Sequence, residues 1–135
     1  MIIVDTNVIA YLYFSNSFTP DAEKLLIQEP VWAAPYLWRS EFRNVIAFYL
    51  RKKIISFEQA IQIQTEAELL MAENEFTVKS SDILSLINNS TCSAYDCEFV
   101  ALAQIFKATL VTADKKILSE FPSTAKSLQQ FLQKS

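Results

Sequence analysis

The chain holds no histidine and no glycine in its 135 residues. Without histidine there is no Ser-His-Asp or Cys-His nucleophile system, no His-ligated zinc and no imidazole acid–base pair. Any chemistry must run on carboxylates, hydroxyls or lysines. Without glycine the backbone cannot build a Walker A loop or a dinucleotide fingerprint, both of which need glycine where the main chain approaches phosphates. A nucleotide cofactor is therefore not expected. Cysteine is scarce: Cys92 and Cys97 form neither a C-x-x-C pair nor a disulfide framework, and read as small reduced core residues. No apolar run is long enough to cross a membrane. The chain opens on a strand-like segment, without the regions of a secretory signal, so a cytoplasmic location is expected. An excess of positive charge is lacking too. Twelve Lys and Arg against 15 Asp and Glu leave a net charge of −3, which argues against a whole-surface nucleic-acid binder and leaves room only for a local basic patch.

What is present has a regular order. The length fits one domain over residues 1–135, and 51% of the residues are apolar, enough for a substantial core. Short apolar runs alternate with longer amphipathic stretches, the pattern of an α/β protein built on a parallel sheet. Strands are expected near residues 2–5, 31–34, 75–78 and 108–112, with a weak edge strand near 123–125 and helices between them. Ser56 and Phe57 should open a helix over 58–74, with Ala60, Ile61, Ile63, Ala67, Leu70 and Met71 on its apolar face. The segment from Pro35 to Arg51 is rich in aromatics: Tyr36, Trp38, Phe42, Phe48 and Tyr49. Aromatics at helical spacing usually pack inward, but some of these are candidates for a partner surface.

Four acids mark the places where strands hand over to helices, or lie close to them: Asp5, Glu41, Asp96 and Asp114. Asp5 ends the first apolar run and Asp114 follows the run from Thr109 to Val111, so a parallel sheet would bring both to its carboxyl edge, where open α/β sheets bind ligands. Carboxylates brought together repel by roughly 1 kcal/mol per pair in water, and by about 4 at an effective dielectric near 20, so such a cluster needs a cation. All-oxygen ligands favour Mg²⁺ or Mn²⁺. Each acid also has a plainer explanation. Asp5 and Asp114 can cap helices, and Ser93 to Asp96 reads as a capping box. Asp82 in Ser80-Ser81-Asp82 is assigned to such a role and set aside. Glu41 differs, because it sits inside a helix among Trp38, Phe42, Val45 and Ile46, where a charge is costly unless it is metal-bound or paired, for instance with Arg39 or Arg43. Glu98 and Glu120 are read as surface acids. Nearby cations are Arg39, Arg43, Lys115 and Lys116, candidates for phosphate contacts; Arg51, Lys52 and Lys53 serve equally well to balance a helix dipole.

Taken together, the four segments resemble a PIN domain, most closely the small toxin subunits of VapBC-type toxin–antitoxin pairs. I-V-D-T-N-V-I resembles the family's first strand and acid, P-Y-L-W-R-S-E-F-R-N-V-I its second motif, Y-D-C-E-F-V-A-L-A its third and L-V-T-A-D-K-K-I-L its fourth. Each is weak alone, and four in order are specific. The resemblance spans the whole chain and implies a three-layer α/β/α sandwich around a central, mostly parallel sheet of four to five strands. It places the metal-binding and catalytic acids on Asp5, Glu41, Asp96 and Asp114, with Thr6, Asn7 and Thr112 as polar neighbours. One departure is the absence of the glycine often found before the fourth strand, where this chain has Phe106-Lys107-Ala108-Thr109.

The activity implied is that of a metal-dependent endoribonuclease, since carboxylates with Mg²⁺ or Mn²⁺ can activate water and offset a phosphodiester's developing charge without histidine. In-line attack of water on phosphorus would leave 5′-phosphate and 3′-hydroxyl ends. A small antitoxin protein and a homodimer are the implied partners, beside the RNA substrate. The alternatives are a phosphatase or DNA nuclease using the same metal site, and a non-catalytic binding module of the same fold. A receiver-type phosphoacceptor would need paired acids after the first strand, where this chain has one.

Overall fold

The computed structural model describes residues 1–133; positions 134 and 135 of the span assigned above to one domain lie outside the described residues. Five strands form one sheet in the order β3-β2-β1-β4-β5, and every neighbouring pair is parallel. They are β1 (Ile2–Val4), β2 (Trp32–Pro35), β3 (Glu75–Phe76), β4 (Leu110–Val111) and β5 (Ala125–Lys126). The residues of β1 and β2 are buried throughout, as expected of inner strands covered on both faces, which read as continuous apolar runs rather than alternating ones.

The chain builds outward from β1 through β2 to β3, then returns to place β4 on the other side of β1. The strand order reverses between β1 and β4, and in open α/β sheets the crevice at such a reversal is where ligands bind. Asp5 leaves β1 and Thr112 to Asp114 leave β4 at that point, tied together by the bond from the Asp5 amide to the Val111 carbonyl at 3.0 Å.

Helices α1 (Thr6–Tyr13), α2 (Thr19–Gln28), α3 (Leu37–Arg51), α4 (Phe57–Met71), α5 (Ser80–Asn88), α6 (Ala94–Phe106), α7 (Lys115–Glu120) and α8 (Leu128–Gln133) flank the sheet in an α/β/α sandwich. Helix α6 lies across β1, β2 and β4 with Cys97, Phe99, Val100, Leu102 and Ala103 buried, while α3 and α4 pack on β2. Trp38 and Phe42 of α3 are fully buried, whereas Tyr36 and Phe48 are half exposed, so the aromatic segment divides between core and surface. Cys92 and Cys97 are buried free thiols. Among the described residues no helix is long and apolar enough to cross a membrane.

Some expectations shift in detail. The capping box at Ser56 forms with Gln59, but α4 stops at Met71 rather than Asn74, because Glu73 turns the chain left-handed at φ 70° to enter β3. Asp82 lies in the first turn of α5, yet Lys79 holds the cap position and no side chain bonds there. Lys52 closes α3 and sets its ammonium 5.0 Å from the Phe48 ring. Glu120 is more than a bystander on the surface: it accepts from the Thr91 amide at 2.9 Å and from the Thr91 hydroxyl at 2.5 Å, fixing the segment before α6.

Candidate active site

Four elements bring Asp5, Glu41, Asp96 and Asp114 to the wall of one open cavity of about 230 Å³, together with Thr6, Asn7, Asn44 and Val45. Asp5 is the cap of α1: its Oδ1 accepts from the Thr6 amide at 2.8 Å, and its Oδ2 accepts from the Thr112 hydroxyl at 2.7 Å. Glu41, from the middle of α3, takes the Thr6 hydroxyl on Oε1 at 2.6 Å, so Thr6 links the first acid's helix to the second acid. Asp96 sits in the first turn of α6, where the Ser93 hydroxyl accepts from the Asp96 amide at 3.1 Å. The cap is Ser93, which also bonds the Asp96 side chain. Asp114 caps α7, its Oδ1 accepting from the amides of Lys116 at 2.9 Å and Ile117 at 3.0 Å, and its own amide donates to the Thr112 hydroxyl at 3.0 Å.

Thr112 is buried to 1% exposure and Thr6 to 4%, the two buried polar residues among those described. Both spend their hydroxyls on these carboxylates. Asn7 lines the same cavity but is exposed.

The electrostatics record crowded negative charge. Burial pushes the Asp5 carboxyl up; bonds from Thr112 and the Thr6 amide pull it down, and Asp96 and Asp114 push it up again, leaving it above its ordinary value. Glu41 is likewise raised, by burial first, against the bond from Thr6 and with repulsion from Asp5, Asp96 and Glu98. Asp96 is raised by burial and by Asp114, with Ser93 and Lys116 opposing. These couplings tie the four acids into one set. Among the described residues no Lys or Arg lines the cavity.

The donor set is therefore hard oxygen alone, with neither nitrogen nor sulfur, which fits Mg²⁺ or Mn²⁺ and does not fit zinc. Still, among the described residues no three acids stand gathered as a formed coordination cluster. Capping bonds hold Asp5 and Asp114 while leaving Asp114 Oδ2 and Glu41 Oε2 without a donor among the described residues.

The cations distribute differently from the acids. Arg39 forks onto Glu75, with Nε at 2.6 Å and Nη2 at 2.7 Å, and reaches Glu68 at 3.1 Å, so its guanidinium is engaged away from the carboxylate cavity. Glu41 pairs with neither Arg39 nor Arg43; the Arg43 Nε donates to the Arg39 carbonyl at 3.1 Å. Lys116 donates to the Thr91 carbonyl at 3.2 Å and acts on Asp96. Lys115 lines a neighbouring cavity whose wall includes Thr112, the hydroxyl donor to Asp5.

Asn44 and Val45 were not anticipated from the sequence. Asn44 lies three positions after Glu41 and so shares its helix face, a spacing that would have found it. Glu98, read as a surface acid, is half-buried and repels Glu41, and burial raises its own carboxyl. Its position two residues from Asp96 gave no signal of this, because its effect runs to a different helix.

No curated protein is similar enough in sequence to match. Among solved structures the chain is similar to a toxin–antitoxin complex from Klebsiella pneumoniae, at 15% identity over 95% of this chain and 98% of that one, with a TM-score of 0.71. It is also similar to PAE2754 from Pyrobaculum aerophilum (16% identity, 98% and 94% covered, TM-score 0.76) and to FitAcB from Neisseria gonorrhoeae (16%, 96% and 99%, TM-score 0.72). At such identities the likeness is one of fold. The sequence profile of the PIN domain matches residues 2–123, and the chain belongs to the PIN domain family.

Proposed function

We propose that this chain is a metal-dependent endoribonuclease that hydrolyses RNA phosphodiester bonds at a site formed by Asp5, Glu41, Asp96 and Asp114, and that it is the toxin of a toxin–antitoxin pair. The observation that carries the reading is the meeting of these four acids, from four separate elements, in one cavity that no Lys or Arg among the described residues lines. Bound Mg²⁺ or Mn²⁺ would acidify water and offset charge building on the phosphodiester. The protein's part is positional. Thr112 and the Thr6 amide fix both oxygens of Asp5, the Thr6 hydroxyl fixes Oε1 of Glu41, and the caps of α6 and α7 set Asp96 and Asp114 against them. Glu41, whose Oε2 has no donor among the described residues, would complete the site directly or through water.

Two features support the toxin assignment: the motif resemblance and the fold likeness to a toxin–antitoxin complex. The antitoxin would place a cation of its own among the acids. A homodimer is proposed through the half-exposed aromatics Tyr36 (51%) and Phe48 (52%) on the α3 segment. Light scattering should give twice the chain mass, and a strict monomer at high concentration removes this contact.

The deciding experiment is cleavage of total RNA by purified protein, with and without Mg²⁺ or Mn²⁺, beside Asp96→Asn. Cleavage should require both metal and Asp96, with a loss of at least about 10²-fold in the variant, and the ends should be 5′-phosphate and 3′-hydroxyl. Full activity in excess chelator, or a cyclic-phosphate product, contradicts the mechanism. A non-catalytic module finds its footing in the caps made by Asp5 and Asp114; it becomes the better account if metal neither binds nor stabilises the protein. Cleavage of DNA in preference to RNA would favour the DNA-nuclease alternative.

A further inference from the structure

Beside the acid site lies a second cavity of about 280 Å³ that the hydrolytic chemistry does not use. Its walls include Tyr11, Phe18, Leu118 and Leu128, with Lys115 and Asp21 as its charged members. Thr112 connects them: it lines this cavity while its hydroxyl donates to Asp5, which lines the acid site. The two spaces are therefore adjacent through one buried side chain. Burial pushes the Tyr11 phenol up, and the charge of Asp5 adds to this.

The aromatic pair is built rather than incidental. Tyr11 and Phe18 stack with centroids 5.0 Å apart and planes 22° off parallel. The loop that carries Phe18 is fastened from both sides: the Asn16 side chain accepts from the Phe18 amide at 2.7 Å, and the Thr19 hydroxyl donates to the Tyr11 carbonyl at 2.7 Å while accepting from the Asn16 amide at 3.0 Å. Phe18 nonetheless stays 49% exposed, an apolar ring held at the lip of the cavity instead of buried. Single strands are bound by aromatic platforms that stack unpaired bases, combined with cations on the backbone phosphates. Here the platform, one lysine and polar groups for a base edge (Asp21, Ser127, Gln129) meet at the border of an anionic, metal-seeking site.

We propose that this cavity is a base-binding subsite for an unpaired nucleotide of the RNA substrate, which stacks on Phe18 and Tyr11 with its phosphate on Lys115, so that the neighbouring phosphodiester lies over the four acids. The inference rests on the nuclease reading for its choice of substrate, but it concerns binding and can be measured without catalysis. It also excludes duplex RNA, whose paired bases cannot enter.

The test is fluorescence-anisotropy binding of a labelled single-stranded RNA oligonucleotide in excess chelator, where no cleavage occurs, for the wild type, Phe18→Ala, Phe18→Trp and Lys115→Ala. Phe18 is exposed enough for its replacement to spare the fold, which circular dichroism checks. The expected result is measurable binding by the wild type, about a tenfold weakening in Phe18→Ala, retention in Phe18→Trp, and weakening in Lys115→Ala. The matching duplex should bind far more weakly than the single strand. Equal binding by wild type and Phe18→Ala, or no binding by either, overturns the subsite. Under Mg²⁺, cleavage by a wild type whose Phe18→Ala variant binds equally well sinks the subsite and leaves the nuclease standing. Phe18-dependent binding without any cleavage does the reverse.

Discussion

Asp5 answers to two demands at once, capping α1 through the Thr6 amide and facing Asp96 and Asp114 across the cavity. Hydrogen bonds alone do not settle the conflict, since its carboxyl still lies above the ordinary 3.8, as does that of Asp96, while Glu41 lies above 4.5. A carboxyl raised in this way holds its proton more tightly in the folded chain than in the unfolded one. The folded state then binds more protons, and stability falls as pH climbs from the ordinary carboxylate range through the raised values. At neutral pH, without metal, the cluster therefore works against the fold. Removing one charge should relieve it: in chelator at pH 7, Asp96→Asn is expected to melt about 3–5 °C above the wild type, on the order of 1 kcal/mol for a chain of this size. Mg²⁺ or Mn²⁺ should raise the melting temperature of the wild type and do much less for the variant. A variant that melts lower than the wild type in chelator would mean that Asp96 serves the fold and not a metal. The acids could be picked out in the sequence because each lies at, or close to, a change from strand to helix pattern. Thr6 and Thr112 drew notice only as their neighbours; the bonds that give them purpose span 35 and 107 positions, and no local pattern carries such distances.

A chain without glycine must end its helices by other means. Among the described residues, three occupy left-handed backbone after helices: Lys53 at φ 58°, Glu73 at φ 70° and Lys107 at φ 53°. Lys107 closes α6, its amide donating to the carbonyls of Ala103 and Gln104, at the position where glycine is the usual choice. The left-handed conformation costs a residue with a Cβ about 1–2 kcal/mol, and glycine gives back about 0.4–1 through the greater freedom of the unfolded chain. Lys107→Gly should therefore stabilise the protein by about 0.5–1 kcal/mol, seen as a higher urea midpoint at unchanged slope. A lower midpoint would show that the lysine side chain contributes something its backbone angles do not reveal. The departure at Phe106-Lys107-Ala108-Thr109 was visible in the sequence, as were all five strands in outline. Their ends were not. β3 and β4 keep only two residues each because pairing with a neighbour decides where a strand stops. Arg39 shows the same limit: its place beside Glu41 suggested a phosphate contact, but β3 brings Glu75 to α3 from 36 positions away, and a half-buried fork with a carboxylate outweighs proximity along the chain.

Across the whole molecule, charge and topology set different parts of the function. The parallel order β3-β2-β1-β4-β5 puts the reversal point beside β1, and with it the first and fourth acids; alternation of apolar runs pointed to the parallel sheet, whereas strand order depends on long crossovers. The net charge of −3 is spread over a protein that is proposed to grip a polyanion. General attraction is then absent; among the described residues Lys115 and Lys116 follow Asp114 directly, while Arg39 is held by Glu75 and Arg43 bonds the Arg39 carbonyl. Each phosphate neutralised on a single strand releases counterions and contributes about −0.7 to the slope of log affinity against log salt. Two or three local contacts give a slope of about −1.4 to −2.1, whereas a basic surface making six to ten contacts would give about −4 to −7. Titrating single-stranded RNA onto the protein in chelator, from about 50 to 200 mM salt, separates the two regimes. A shallow slope that Lys115→Ala reduces by about 0.7 fits a site in which stacking and, under working conditions, the metal supply most of the hold. A steep slope would require a basic surface that this chain does not carry alone, and would place a second copy or another protein in the RNA-binding unit.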